Sequence, residues 1–400
     1  MAAQADPPKL TPEQELILLS AAAPPRREAQ RGRFGSLARS VDWTTLAELL
    51  THGRLLPTLG PRIVTEAGEA TDPAFRQAAS GSVEAVRRQD ALLLLMGQRL
   101  IDALREREIP TAPLKGPALG EQLYGEPGRR LSSDIDLLLP AERLSEAVRI
   151  AESVGYDSPT DPLEANGLPL LHFAMPHRGG ELPAVELHWR IHWYEDRFAC
   201  ERLLPPAAGD TWHPEPIDQL VALLLFYARD GFSGLRQATD LAAWWDRFGE
   251  EMRGSELERR LLSYPQLRPA VTAAVRAAER IVGLPAARLL DGSRGLSRRG
   301  SVAVALVDPR PYATTQQLYA EIGLIDGLLT PRGGLGAFLR RQVVPPAEVI
   351  RDHAQKAFGA HVTSRAGYAV RVLGRYALAL GRLLRLPGTV GARFSSEELG

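Results

Sequence analysis

The sequence predicts an α/β (α+β) protein in which a short α/β unit interrupts an otherwise helical chain. Three observations carry that expectation. Apolar residues recur at helical spacing through the first hundred positions. Between Ile109 and Trp193 the pattern turns to strand, helix, strand, helix, strand, strand. Helical spacing then returns after Glu215-Pro216. The corresponding divisions are a helical N-terminal lobe over residues 1–108, an α/β core over 109–200 and a helical C-terminal lobe over 201–400. A chain of 400 residues exceeds the ~150 that one hydrophobic core commonly serves, so more than one lobe is expected.

Thr11-Pro12-Glu13-Gln14 has the signature of a helix start, with threonine as N-cap and proline in the first turn. Pro24–Gly35, rich in Pro, Arg and Gly, is expected to be a loop. Trp43–Leu56 and the stretch from Asp72 to Arg107 are expected to be helices. Thr111–Leu114 is a short strand ending at Lys115-Gly116, and Ala118–Tyr124 a helix followed by a Gly/Pro/Arg loop. Ile135–Leu139 begins beside acids and becomes continuously apolar, as a strand entering a core does. Ala141–Val154 is an amphipathic helix, and Leu170–Met175 and Ala184–Ile191 are strands. Ile217–Tyr227, Leu235–Phe248, Ser255–Leu262 and Pro269–Val282 carry helical spacing. Beyond a Gly/Ser/Arg-rich break at Gly292–Pro311 come helices over Thr314–Leu328, Gly336–Arg341, Pro346–Ala357 and Ala366–Leu386.

Composition excludes several classes. Apolar residues make up 44% and charged residues 24%, which argues against wholesale disorder. Basic and acidic residues both number 48, so no net field steers the chain to nucleic acid. The balance is uneven along the chain. From Pro331 to Gly400 eleven Arg or Lys face four Asp or Glu. One cysteine, Cys200, rules out an intrachain disulfide and a cysteine zinc cluster. The N-terminus lacks the basic and apolar regions of a signal peptide, and no apolar run approaches the ~20 residues of a membrane span. A cytoplasmic location is expected.

The residues that carry chemistry lie in the α/β unit. Asp134 and Asp136 stand at i and i+2 on a predicted strand, so both carboxylates project from one face about 7 Å apart. Adjacent acids repel unless a cation lies between them, and Mg²⁺ (or Mn²⁺) prefers carboxylate oxygens together with substrate phosphates. Glu186, fifty residues on, stands on another predicted strand able to supply a third carboxylate to a phosphoryl-transfer metal site. Lys115-Gly116 ends one strand and opens a helix, where glycine lets a phosphate approach free backbone N–H groups.

Gly116, Asp134-Ile135-Asp136 and Glu186 together resemble the polymerase-β-type nucleotidyltransferase superfamily. More narrowly, LKGPALGEQLYGEPGRRLSSDIDLLLP followed by VELHWRIHW resembles a bacterial family labelled uncharacterised nucleotidyltransferase. The resemblance is tight from Leu114 to Trp193 and looser through Asp218–Trp245 and Val344-Pro345-Pro346. It implies a small mixed sheet flanked by helices, a divalent metal, and transfer of a nucleoside monophosphate from an NTP to an acceptor. In this frame Asp134, Asp136 and Glu186 are the catalytic and metal-holding acids, and Lys115, Gly116 and Arg130 contact the nucleotide. One departure is Pro117, where the superfamily commonly has serine, so Lys115 is expected to supply the charge at that turn.

Several alternatives stay open. Arg130 would either touch phosphate or pair with an acid, and His188 would orient Glu186 or simply pack. Trp189, Trp193, Trp244 and Trp245 are expected in the core. Arg371, Arg375, Arg382 and Arg385 fall near one face of the last helix, a solvated face or a contact for anionic lipid or a polyanion. Two rival classes compete with the enzyme: a nucleotidyltransferase fold retained for binding or regulation without turnover, and a partner in a biosynthetic or toxin–antitoxin assembly.

Overall fold

A computed structural model describes residues 10–159, 164–165, 168–208, 214–253, 255–290, 296–307, 315–331, 333–345, 350 and 364–385. Its centre is a four-stranded mixed sheet, and helices pack on both sides of it. β1 is Ala112–Pro113 and β2 is Ile135–Leu138; a separate two-residue hairpin pairs β3 (Glu164–Ala165) with β4 (Leu168–Pro169). β5 is His172–Met175 and β6 is Val185–His188. The order across the sheet is β1-β2-β6-β5. β2 runs parallel to β6, and the two outer strands are antiparallel to their neighbours.

Alternation along these strands sorts the sheet into two unlike faces. Ile135, Leu137, Val185, Leu187 and Met175 face a buried cluster with Leu93, Leu100 and Leu104 of the helix Pro73–Arg105 and Ala147 and Ala151 of the helix Leu144–Ser153. Asp136 and Glu186, partners in the β2–β6 register, point the other way with Leu138 and His188. The parallel β2–β6 pair is what brings two acids fifty residues apart onto one face.

The helix Pro73–Arg105 starts at an Asp72 cap, whose Oδ1 accepts from the Ala74 and Phe75 amides at 2.8 and 3.2 Å. Its buried stripe runs Phe75, Ala79, Val83, Val86, Asp90, Leu93, Leu100, Leu104. The first half packs on the helix Leu56–Ala67, so closely that a Cβ on Gly60 would meet the Ala79 Cβ at 2.8 Å. The second half packs on the sheet. Helices before and after the α/β unit share one large core, in which Leu16, Leu46 and Leu59 join Leu224, Trp244 and Val271.

The structure corrects three expectations. Pro24–Gly35 is not a loop, because Pro24–Ala29 and Arg31–Ala38 are short helices. The prolines sit in the first turn, where no N–H is needed. Arg26 docks the segment by donating to the carbonyls of Glu279, Arg280 and Ile281 at 2.8–3.2 Å, the open C-terminal end of the helix Arg268–Val282. Trp43–Leu56 is broken at Gly53–Leu55, with Arg54 at φ +57°, and a second helix follows over Leu56–Ala67 despite Pro61. The Gly292–Pro311 break contains a helix, Arg298–Ala305, capped by Ser297. Pro346–Ala357 lies outside the described residues except for Ile350. Among the described residues no helix is long and apolar enough to cross a membrane.

Candidate active site

The loop between Gly125 and Asp134 carries the first acid, and contacts from several helices pin it. The Gly128 amide donates to Asp90 Oδ2 at 2.9 Å, Gln89 Nε2 donates to the Ser132 carbonyl at 2.5 Å, and Thr58 Oγ1 donates to the Arg129 carbonyl at 2.6 Å. Gly128 has φ +85°, and a Cβ there would meet the Val83 carbonyl at 2.6 Å, so only glycine fits. Asp134 stands one residue before β2 and Asp136 is the second residue of the strand. Lys115, Gly116, Asp134 and Asp136 line one cavity of about 200 Å³ together with Ile135 and Leu137 of β2 and Leu93, Leu94, Gly97 and Ile101 of the long helix; Glu186 is not among its lining residues.

Gly116 opens the helix Gly116–Tyr124 with φ +80°, in open space. Backbone conformation, not crowding, requires glycine here. Lys115 Nζ lies 3.5 Å from Asp136 Oδ1 and 4.3 Å from the centre of the Phe226 ring. Burial lowers its pKa, and Asp136 opposes that shift.

Asp136 is 5% exposed. Burial alone would raise its carboxyl, but Lys115 and His188 outweigh burial and hold it far below the usual carboxylate range. His188 is fully buried, and its Nε2 lies 2.8 Å from Asp136 Oδ1 and 3.1 Å from Glu186 Oε2. Burial raises Glu186 as well, yet His188 and His172 bring it below its ordinary value. Asp134 goes the other way: burial first, then repulsion from Asp136 and Glu186, raises it. The three carboxylates thus share one electrostatic neighbourhood, and the one with the least positive company is the hardest to ionise.

Arg130 does not face this cavity. It is 4% exposed, its Nε donates to Asp240 Oδ2 at 2.9 Å, and its Nη1 donates to Ser132 Oγ at 3.2 Å. Tyr124 donates to the other Asp240 oxygen at 2.7 Å. A sequence model of the family described as uncharacterised nucleotidyltransferase matches residues 39–283, more than half of the chain. The chain belongs to that family. No curated protein and no solved structure matches it. The matched span of this nucleotidyltransferase-family chain includes the long helix, the whole sheet and the Asp240 helix Leu235–Phe248, so the Arg130–Asp240 pair lies wholly inside it.

Two groups at the site of this family member carried little signal in the sequence. The β5–β6 register sets His172 opposite His188, with ring centroids 4.6 Å apart. Burial and the neighbouring His188 push it down to about 4. Arg229, at the end of the helix Pro216–Arg229, donates from Nε to Asp230 at 3.0 Å and lies 5.0 Å from the Phe226 ring. Its Nη1 has no hydrogen-bond partner among the described residues. Of the basic face expected on the last helix, Arg371 is exposed, and the side chains of Arg375, Arg382 and Arg385 lie outside the described residues.

Proposed function

We propose that this protein is a metal-dependent nucleotidyltransferase of the cytoplasm that moves a nucleoside monophosphate from an NTP to an acceptor hydroxyl or phosphate. The observation that carries the reading is the Asp136–Glu186 pair, registered side by side on parallel strands, with Asp134 two residues before Asp136 and Lys115 Nζ 3.5 Å from Asp136 Oδ1. The donor set fits a hard divalent cation, Mg²⁺ or Mn²⁺. Asp136 and Glu186 both act on the charge of Asp134, and its raised pKa marks a position where added positive charge would stabilise the ionised form.

In this reading the acceptor oxygen attacks the α-phosphorus, the bond to the β-phosphate oxygen breaks, and pyrophosphate leaves. Lys115 and the free amides at the start of the Gly116–Tyr124 helix would hold the triphosphate. Glu186 would help hold the cation and so help activate the acceptor hydroxyl, whose proton passes to solvent. A bound divalent ion would supply neutralisation of phosphate charge as pyrophosphate departs. Arg130, paired to Asp240, would position the loop that carries Asp134 and would not touch the nucleotide.

A second reading, a fold kept for binding without turnover, is favoured by Pro117. This residue offers neither hydroxyl nor N–H at the first turn. One experiment separates the two. The protein is incubated with Mg²⁺, cell extract and each α-labelled NTP, beside an Asp136→Asn control. Labelled product that disappears in the control supports transfer. NTP binding with no labelled product supports the second reading.

A further inference from the structure

The transfer reading rests on carboxylates and leaves two imidazoles beside them without a task. His172 Nε2 lies 3.6 Å from Glu186 Oε2, and His188 Nε2 lies 3.1 Å from the same oxygen. One donor atom from each of His172, Glu186 and His188 falls within 4.8 Å of the other two. We propose that these three residues bind a borderline first-row transition-metal ion, of the class of Zn²⁺, Co²⁺ or Ni²⁺, in preference to Mg²⁺. The inference rests on the reading above in one respect, the use of Glu186 as a metal ligand.

The spacing is that of ligands already gathered. Metal bonds of about 2.0–2.2 Å to histidine nitrogen and carboxylate oxygen place neighbouring ligand atoms of a tetrahedral site about 3.4 Å apart. The observed 3.1 and 3.6 Å bracket that value. The hydrogen bonding is also incomplete without an ion. His188 Nε2 carries at most one proton but faces two carboxylate oxygens, and Glu186 Oε2 faces two imidazoles. An ion held by His172, Glu186 and His188 would engage the facing atom of each. Asp136 Oδ1 lies 2.8 Å from His188 Nε2 and stands beside this group without being one of its three members.

Nδ1 of both rings is buried and has no hydrogen-bond partner among the described residues, so the polar contacts of both imidazoles are made at Nε2. The ligands stand on two hydrogen-bonded strands, His172 opposite His188 and Glu186 two residues before His188, which fixes their relative positions. Ligand chemistry decides the class of ion. Mg²⁺ takes oxygen and keeps its waters, whereas two imidazoles with a carboxylate suit zinc and its neighbours.

The test titrates Co²⁺ into the full-length protein and follows its ligand-field absorption, then repeats the titration on His172→Ala and His172→Gln. The expected result is an absorbing Co²⁺ complex that Zn²⁺ displaces and a large excess of Mg²⁺ does not. Both variants should bind Co²⁺ on the order of tenfold or more weakly. Displacement of Co²⁺ by Mg²⁺ at equal concentration would overturn the proposal, as would unchanged Co²⁺ affinity in whichever variant keeps the parent's far-ultraviolet dichroism. The two readings fail separately. Mg²⁺-dependent label transfer without Co²⁺ binding would remove the transition-metal site alone. Co²⁺ binding without label transfer would remove the transferase alone.

Discussion

Arg130 and Asp240, 110 residues apart, form an ion pair that is almost fully buried, with Nε 2.9 Å from Oδ2. Removing one partner of such a pair strands the other charge in the interior, at a cost of about 3–5 kcal/mol. Asp240→Asn and Arg130→Met should each lower stability by that order in chemical denaturation. The combined Arg130→Met/Asp240→Leu change should cost clearly less than either single change. If the single variants unfold at the parent's midpoint, the pair is not the anchor of the Asp134 loop.

Asp134 ionises against burial and against two neighbouring acids. Its folded pKa lies above the unfolded value, so its ionisation works against the metal-free fold at neutral pH. That penalty is absent below an unfolded pKa of about 3.9 and grows as pH rises past it. Asp134→Asn should therefore melt higher than the parent at neutral pH without metal, and the gain should vanish in acid. Mn²⁺ should raise the parent's melting temperature and leave Asp134→Asn/Asp136→Asn unmoved. Equal Mn²⁺ stabilisation of the two would remove these acids from the metal site.

Under the proposed function Lys115, 3.5 Å from Asp136, would serve the nucleotide and the acids together. Lys115→Ala should weaken NTP binding by about 2–3 kcal/mol at fixed Mg²⁺, the cost of losing a charge-assisted hydrogen bond and leaving its partner unpaired. Lys115→Arg should restore only part of it. Because Lys115 Nζ lies 3.5 Å from Asp136 Oδ1, Lys115→Ala should also tighten Mn²⁺ binding in the absence of nucleotide by removing a competing cation. Titration calorimetry of the three proteins reads both effects, and identical NTP affinity across them would return Lys115 to a purely structural part.

His172 titrates at about 4, driven down first by burial and then by His188. The unfolded imidazole takes its proton near 6.5, so in acid the unfolded chain is protonated first. The stability associated with neutral His172 is present above about 6.5 and is lost as pH falls toward 4. Denaturation midpoints of the metal-free parent should slope downward through that window, and His172→Gln should flatten the slope. Parallel slopes would show that His172 is already free to charge in the folded state.

The strands and the first two acids were legible because their signals are local. D-I-D followed by three aliphatic residues marks a strand that enters a core with its acids at the mouth. Glu186 could be assigned to a strand, but its pairing with Asp136 follows from a parallel register that no short window contains. His172 was hidden for the same reason, since its meaning depends on the residue opposite. Arg130 was legible as a charge near the site but not in its direction, because Asp240 comes from a helix more than a hundred residues away. The helices Pro24–Ala29 and Arg31–Ala38 were obscured by composition. What settles them is docking on the end of a distant helix, and tertiary contact outweighed the local signals of proline and glycine.

The β2–β6 register has a consequence for populations of molecules. The pairing that sets Asp136 beside Glu186 also sets Ile135 beside Val185 and Leu137 beside Leu187. A slip of one residue would turn a row of aliphatic side chains onto the polar face that holds Asp136 and His188 and carry the acids into the cluster of Leu93 and Leu100. A folded molecule with mispaired acids is therefore not a stable species. Loss of the site and loss of the fold are one event, and preparations of this protein should differ in how many molecules are folded, not in how well a folded molecule holds its acids together.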